Sequence, residues 1–149
     1  MRSLFSLIIF LSISATTFAQ SQNPVTWDFE IQKDGKDYII LAKAEVEESW
    51  VLYSHYTAKG GPIGTTLEIN PNQEGVTKLE ELEEEGTMIR EHSDMFDLDV
   101  SKFKKEVVFK QKIKVSDDTS IVSGFVRFMT CDDKKCLPPT NIDFSLSLN

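Results

Sequence analysis

The chain has 149 residues, 40% of them hydrophobic, with 16 basic against 24 acidic side chains and a formal charge of −8. So acidic a surface repels nucleic acid and anionic lipid, which excludes both as partners. The length suits one domain with its own core, and two cysteines are too few for a scaffold that depends on disulfides.

The chain opens with a positive Met1-Arg2, followed by an apolar run over residues 4–13 broken only by Ser6 and Ser12. Thr17-Phe18-Ala19 then places small residues where a signal peptidase reads. This pattern predicts a secretory signal over residues 1–19, cleaved after Ala19. The run is too short for a membrane anchor, which needs roughly 20 apolar residues. Without Arg2 the mature chain, residues 20–149, carries 15 basic and 24 acidic groups, a charge of −9. An exported monomer is the expectation.

Period two dominates the mature chain, and it marks strands with one buried face. Val25, Trp27, Phe29 and Ile31 alternate with polar residues. After the turn at residues 33–36, Tyr38, Ile40, Ala42, Ala44 and Val46 share a face. Residues 50–56 are rich in aromatics and end before Gly60-Gly61-Pro62, and Leu67 and Ile69 mark a short strand ending at Asn70-Pro71-Asn72. Residues 76–85 alone admit a helix, but Glu80, Glu81, Glu83, Glu84 and Glu85 favour a solvated edge or loop. A long strand over residues 107–115 sets Val107, Phe109, Ile113 and Val115 against lysines on its other face. Residues 121–130 are apolar on both sides, as in a central strand, and Ile142, Phe144, Leu146 and Leu148 alternate to the end. Seven or eight short strands in a chain of this size predict an all-β, immunoglobulin-like β-sandwich.

Both cysteines lie in one segment, Cys131-Asp132-Asp133-Lys134-Lys135-Cys136-Leu137-Pro138-Pro139. Polar residues 132–135 read as a turn, which can bring two Cα atoms within the roughly 4.4–6.8 Å a disulfide requires. A closed loop this short stabilises by roughly 2 kcal/mol, against nearly 5 for a loop of about 100 residues, so the pair is a poor staple. It is better suited to thiol–disulfide exchange, which needs an accessible sulfur and a second thiol beside it. Spacing and charge alone still favour a structural bridge, because short-loop disulfides are common in exported proteins. The lysines at 134 and 135 and the acids at 132 and 133 oppose each other in their effect on a thiolate.

The string from Cys131 through Pro139, followed by Thr140, resembles the active-site segment of the periplasmic N-terminal domain of the disulfide reductase DsbD. Trp50-Val51-Leu52-Tyr53, Gly61-Pro62-Ile63 and His92-Ser93-Asp94-Met95-Phe96 are similar to its early aromatic strand, the loop after it and its cap loop. The resemblance covers most of residues 24–149. It implies an immunoglobulin-like domain that accepts electrons from a thioredoxin-like domain and passes them to oxidised periplasmic thiol proteins. Cys136 would then attack or be attacked in mixed disulfides and Cys131 would resolve them. Phe96 would be the shielding cap aromatic, with Asp94 and Tyr53 beside the site.

Three departures from the family pattern stand out. One residue fewer separates the cysteines, Met95 stands where an acidic cap residue is common, and the family's transmembrane and thioredoxin domains do not follow. The reductant is therefore expected in another chain, a thioredoxin-like domain or a membrane thiol transporter. Two rivals remain open: a binding or scaffold sandwich with a structural disulfide, and a soft-metal chaperone. Cys131, Cys136, Met129, Met95, His92 and His55 are donors suited to Cu(I), but the two histidines lack ligand spacing. Neither a metal nor a cofactor is expected. No catalytic Ser-His-Asp order or phosphate-binding glycine loop stands out.

Overall fold

The computed structural model describes residues 23–148. The expected signal peptide and its cleavage site lie outside the described residues. Ten strands follow in order: β1 (Val25–Asp34), β2 (Asp37–Val46), β3 (Val51–Tyr53), β4 (Thr66–Ile69), β5 (Val76–Lys78), β6 (Glu83–Ser93), β7 (Leu98–Val115), β8 (Ile121–Phe128), β9 (Thr130–Cys131) and β10 (Thr140–Ser147). No helix occurs among the described residues.

The strands form two antiparallel sheets packed as an immunoglobulin-like sandwich. The larger follows the order β1-β2-β7-β3-β9, with β5 and β6 also paired to β7, and the smaller is β10-β8-β4. β7 organises the larger sheet because it is long enough to serve two neighbours along each edge. Its first half pairs with β3 (Leu52 opposite Phe103) and its second half with β2 (Tyr38 opposite Ile113). Along the other edge β6 shifts register between Gly86 and Met88. Close to that shift, Lys105 takes a left-handed φ of 70°. Here three residues of β7 face one of β6, and the two extra residues bend the strand; β7 changes partner from β3 to β2 at the bend.

The alternation read from the sequence is the one the sheets bury. Ile40, Ala42 and Ala44 of β2, Val107, Phe109 and Ile113 of β7, and Val122 and Val126 of β8 all face the core. Trp27 bridges the sheets, its ring 5.8 Å from Phe109 and 5.2 Å from Phe128. Fully burying one such side chain contributes roughly 1.5–3 kcal/mol. Gln111 also faces inward at 2% exposure. Its amide donates to Glu80 O at 2.8 Å and Lys112 O at 3.1 Å, which fastens the acidic loop between β5 and β6 to the central strand.

Two expectations need adjusting. The acidic stretch is a loop only at Glu80 and Glu81; Glu83, Glu84 and Glu85 begin β6, an eleven-residue strand. β6 pairs with β7 alone, so one edge is open, and most of its residues are exposed. Charge is a common guard for such an edge, and it erases the apolar alternation by which a strand is recognised. Residues 121–130 form the expected central strand, but it does not stay in one sheet. β8 ends at Phe128 in the smaller sheet, and β9 resumes at Thr130 beside β3 in the larger.

Candidate redox site

This change of sheet delivers the cysteines to their position. Cys131 lies opposite Val51 and Thr130 opposite Leu52, extending the larger sheet by one short strand. Thr130 Oγ1 donates to Val51 O at 2.7 Å, a second tie at a position only 3% exposed. Beyond Cys131 the chain turns sharply. Asp132 N–H donates to Lys135 O at 2.9 Å, and Leu137 N–H donates to Thr130 O at 2.9 Å. Between those bonds Cys131 and Cys136 face each other as an antiparallel bridge. This is the non-hydrogen-bonded type of pair, whose side chains approach most closely. The Cα atoms are 4.0 Å apart and the sulfurs are joined in a disulfide. Residues 132–135 are the turn the sequence predicted.

Asp132 builds that turn. Its Oδ1 accepts from Lys134 N–H and Lys135 N–H, both at 2.7 Å. These two N–H groups, Lys134 first, hold its carboxyl below the usual aspartate value of 3.8, with the lysine charges adding a smaller effect. The carboxylate is thus committed to the backbone. Lys135 leans the other way, its Nζ 5.9 Å from the Trp50 ring centroid.

A small apolar cluster, separate from the main core, encloses the disulfide. Val51, Tyr53, Val100 and Cys131 are buried in it, with Phe96, Leu98, Met129 and Cys136 packed against them. The two sulfur positions are unequal. Cys131 is 2% exposed, whereas Cys136, on the outer limb of the hairpin, is only half-buried.

The β6–β7 turn, residues 94–97, lies over this cluster. Phe96 N–H donates to Ser93 O at 3.2 Å, and Asp97 has a φ of 53°. The turn rests on the loop after β3, where Gly61 packs closely against Leu98. A Cβ there would stand 3.1 Å from Leu98 Cδ2. The same loop reaches Met129, whose Sδ accepts from Ile63 N–H at 3.4 Å.

Of the predicted site residues, Cys131, Cys136, Phe96 and Tyr53 come together. Phe96 meets Tyr53 edge-on, and Tyr53 lines the floor at 4% exposure. Burial, and to a lesser degree Glu91, pushes the Tyr53 hydroxyl above its usual 10.0. Asp94 stands exposed in the cap turn. Met95 is closer to the chemistry than its place in the sequence suggests. Although 50% exposed, it places its Sδ 3.3 Å from Cys136 Sγ. With Cys136 oxidised there is no thiol proton between them, so this is a direct sulfur–sulfur contact. The histidines lie apart from the sulfurs. His92 Nδ1 is 3.2 Å from Asp99 Oδ1, and His55 Nδ1 donates to Thr65 O at 2.9 Å.

Sequence reasoning gives no sign of what anchors the end of β3. Glu84 of β6 accepts from Ser54 Oγ at 2.7 Å and from His55 N–H at 2.6 Å. These partners are about thirty positions apart, and nothing in the local pattern links them.

An immunoglobulin-like sandwich carrying a cysteine hairpin on its sheet edge, under a turn from the next hairpin, defines a recognisable class of domain. Among solved structures the chain is similar to the N-terminal periplasmic domain of ScsB from Proteus mirabilis, with a TM-score of 0.63 and 18% identity over 84% of this chain and 47% of that one. It is also similar to the N-terminal domain of DsbD from Neisseria meningitidis in the reduced form, with a TM-score of 0.57 and 10% identity over 83% of this chain and 86% of that one. The chain spans about half the length of the ScsB chain it matches. At these identities the likeness establishes the fold alone, which is that of the DsbD N-terminal domain. No protein-family model matches the chain, and no curated protein matches it.

Proposed function

We propose that this chain is a periplasmic thiol–disulfide exchange protein that relays two electrons through Cys131 and Cys136. The observation that carries the reading is the inequality of the two sulfurs: one is sealed in a strand, and the other is half-open beneath the β6–β7 turn. Exchange requires one attackable sulfur and one leaving sulfur that stays close enough to return.

The reaction runs in two displacements. A thiolate of the donor attacks Cys136 Sγ, the Cys131–Cys136 bond breaks, and Cys131 leaves as a thiolate that takes up a proton. A second donor thiolate attacks the donor sulfur of the mixed disulfide and expels Cys136, so the donor leaves oxidised and the pair is reduced. Toward an oxidised thiol protein the order reverses: Cys136 attacks and Cys131 resolves. The donor is a thioredoxin-like domain or a membrane thiol transporter, and the acceptors are periplasmic thiol proteins. Phe96 restricts exchange to partners that displace the cap turn. Asp94, on its outer side, belongs to the surface a partner meets first.

The test is the equilibrium reduction potential of the pair in graded thiol buffers, joined to trapping. A potential within roughly −120 to −270 mV, with a mixed disulfide to a thioredoxin-like partner trapped by Cys131→Ser and not by Cys136→Ser, supports the relay. A potential below about −300 mV marks a structural bond and would make the protein a binding sandwich.

A further inference from the structure

The cap brings a third sulfur to the pair. Met95 Sδ touches Cys136 Sγ at 3.3 Å, and Cys131 faces Cys136 across the hairpin with a Cα separation of 4.0 Å. When the disulfide is reduced, its sulfurs separate to non-bonded contact, but the hydrogen bonds on either side of the pair still hold the two limbs together. Met95 Sδ lies against Cys136 Sγ, and Cys131 faces Cys136 across the hairpin. The remaining donors do not join them. Among the described residues no three His, Cys, Asp or Glu side chains gather, and Met129 Sδ is already engaged by Ile63 N–H.

We infer that the reduced Cys131/Cys136 pair and the Met95 thioether form a three-sulfur site for a soft monovalent cation, Cu(I). The donor set selects the ion. Thiolate and thioether ligands suit Cu(I), whereas hard cations require oxygen. A structural zinc site needs four nitrogen or sulfur ligands. On binding, the two thiols release their protons to solvent and two Cu–thiolate bonds and one Cu–thioether bond form, with no electron transferred. The half-exposed Met95 is the side from which the ion enters, and the acidic surface of the protein favours the approach of a cation. The inference rests on the proposed function in one respect, that the pair becomes reduced.

The experiment is an anaerobic Cu(I) titration, against a chromophoric chelator, of protein recovered from the periplasm and reduced with a phosphine. One Cu(I) per chain is expected for the reduced protein, and none for the oxidised protein or for Cys131→Ala/Cys136→Ala. Met95→Leu keeps the bulk but not the sulfur, and should weaken binding by about tenfold or more. Met95→His supplies another donor and should restore affinity, while Met129→Leu should match the wild type. X-ray absorption should count three sulfur neighbours in the wild type and two in Met95→Leu. Equal affinity in the wild type and Met95→Leu, with two sulfurs in both, would overturn the inference. So would failure of the folded, reduced wild type to bind. Because a phosphine does the reducing, either failure leaves the exchange reading standing, and a pair that natural partners cannot reduce leaves the titration interpretable.

Discussion

Phe96 presents its ring edge-on to Tyr53, with centroids 6.1 Å apart and planes at 90°. One residue belongs to the turn between β6 and β7 and the other to β3, and Cys131 is buried in the same cluster. An aromatic contact of this kind contributes about 0.5–1.5 kcal/mol beyond the area it buries. Under the proposed function this contact is what a docking partner would have to break.

Removing the cap ring should therefore speed unselective chemistry more than it weakens the fold. Phe96→Ala is expected to be reduced several-fold faster than the wild type by a small dithiol. Its stability should fall by roughly 1–2 kcal/mol, less than the roughly 3–5 kcal/mol for a fully buried phenylalanine. Stopped-flow reduction beside urea unfolding measures both, and an unchanged reduction rate would rule out shielding by Phe96.

Acid should loosen the cysteine turn through Asp132. Its folded pKa lies below the usual 3.8, so its contribution is fully present above the unfolded value and is lost as pH falls through the folded one. In Asp132→Asn the amide oxygen can still accept from the two N–H groups, but it does not titrate. Urea unfolding between about pH 2 and 5 should show the wild type losing more stability than this variant as pH falls. Parallel curves would show that the turn is not acid-linked through Asp132.

Glu84 should matter for stability out of proportion to its place on a wet edge strand. Its carboxylate accepts from the fully buried Ser54 hydroxyl and from His55 N–H. Hydrogen bonds to charged groups contribute about 1.5–3 kcal/mol, so Glu84→Ala is expected to lower the unfolding free energy by about 2 kcal/mol. Glu84→Gln should fall between it and the wild type. Chemical denaturation decides, and a loss indistinguishable from zero would mean the clamp is open in solution.

The disulfide should prove dispensable for folding. Cys131→Ala/Cys136→Ala is expected to keep the far-ultraviolet circular dichroism of the wild type and to lose about 2 kcal/mol, the loop-entropy value for so short a ring. An unfolded double variant would mean that the bridge holds the domain together.

The strands legible in the sequence are those with one wet face and one dry face. β1, β2, β7 and β10 announce themselves because Trp27, Ile40, Phe109 and Phe144 recur on alternate positions. β6 is hidden because charged and polar residues fill most of its positions, and β9 because two residues carry no period. Cys131 and Cys136 are readable from their spacing and setting. Phe96 and Tyr53 come from resemblance, and their contact crosses more than forty positions of sequence. Met95 reads in the sequence as the loss of an acidic group and as one of six scattered soft donors, and its sulfur meets Cys136. The signal available is a thioether inside a segment already assigned to cover a disulfide. Ser54 and Glu84 leave no signal, since one hydrogen-bonded pair between distant strands imposes no pattern on either.

The crossing from β8 to β9 gives the chain a parity. Val122, Gly124, Val126 and Phe128 face inward on even positions, and just past the crossing Thr130 and Cys131 are both buried. One residue inserted before Thr130 would shift the register of β9 on β3 and move Cys131 from its place opposite Val51, whereas one inserted among the exposed residues 133–135 would change the hairpin loop and leave that register intact. The register that seats Cys131 is therefore set by the strand before it, and the length of the loop to Cys136 is set separately.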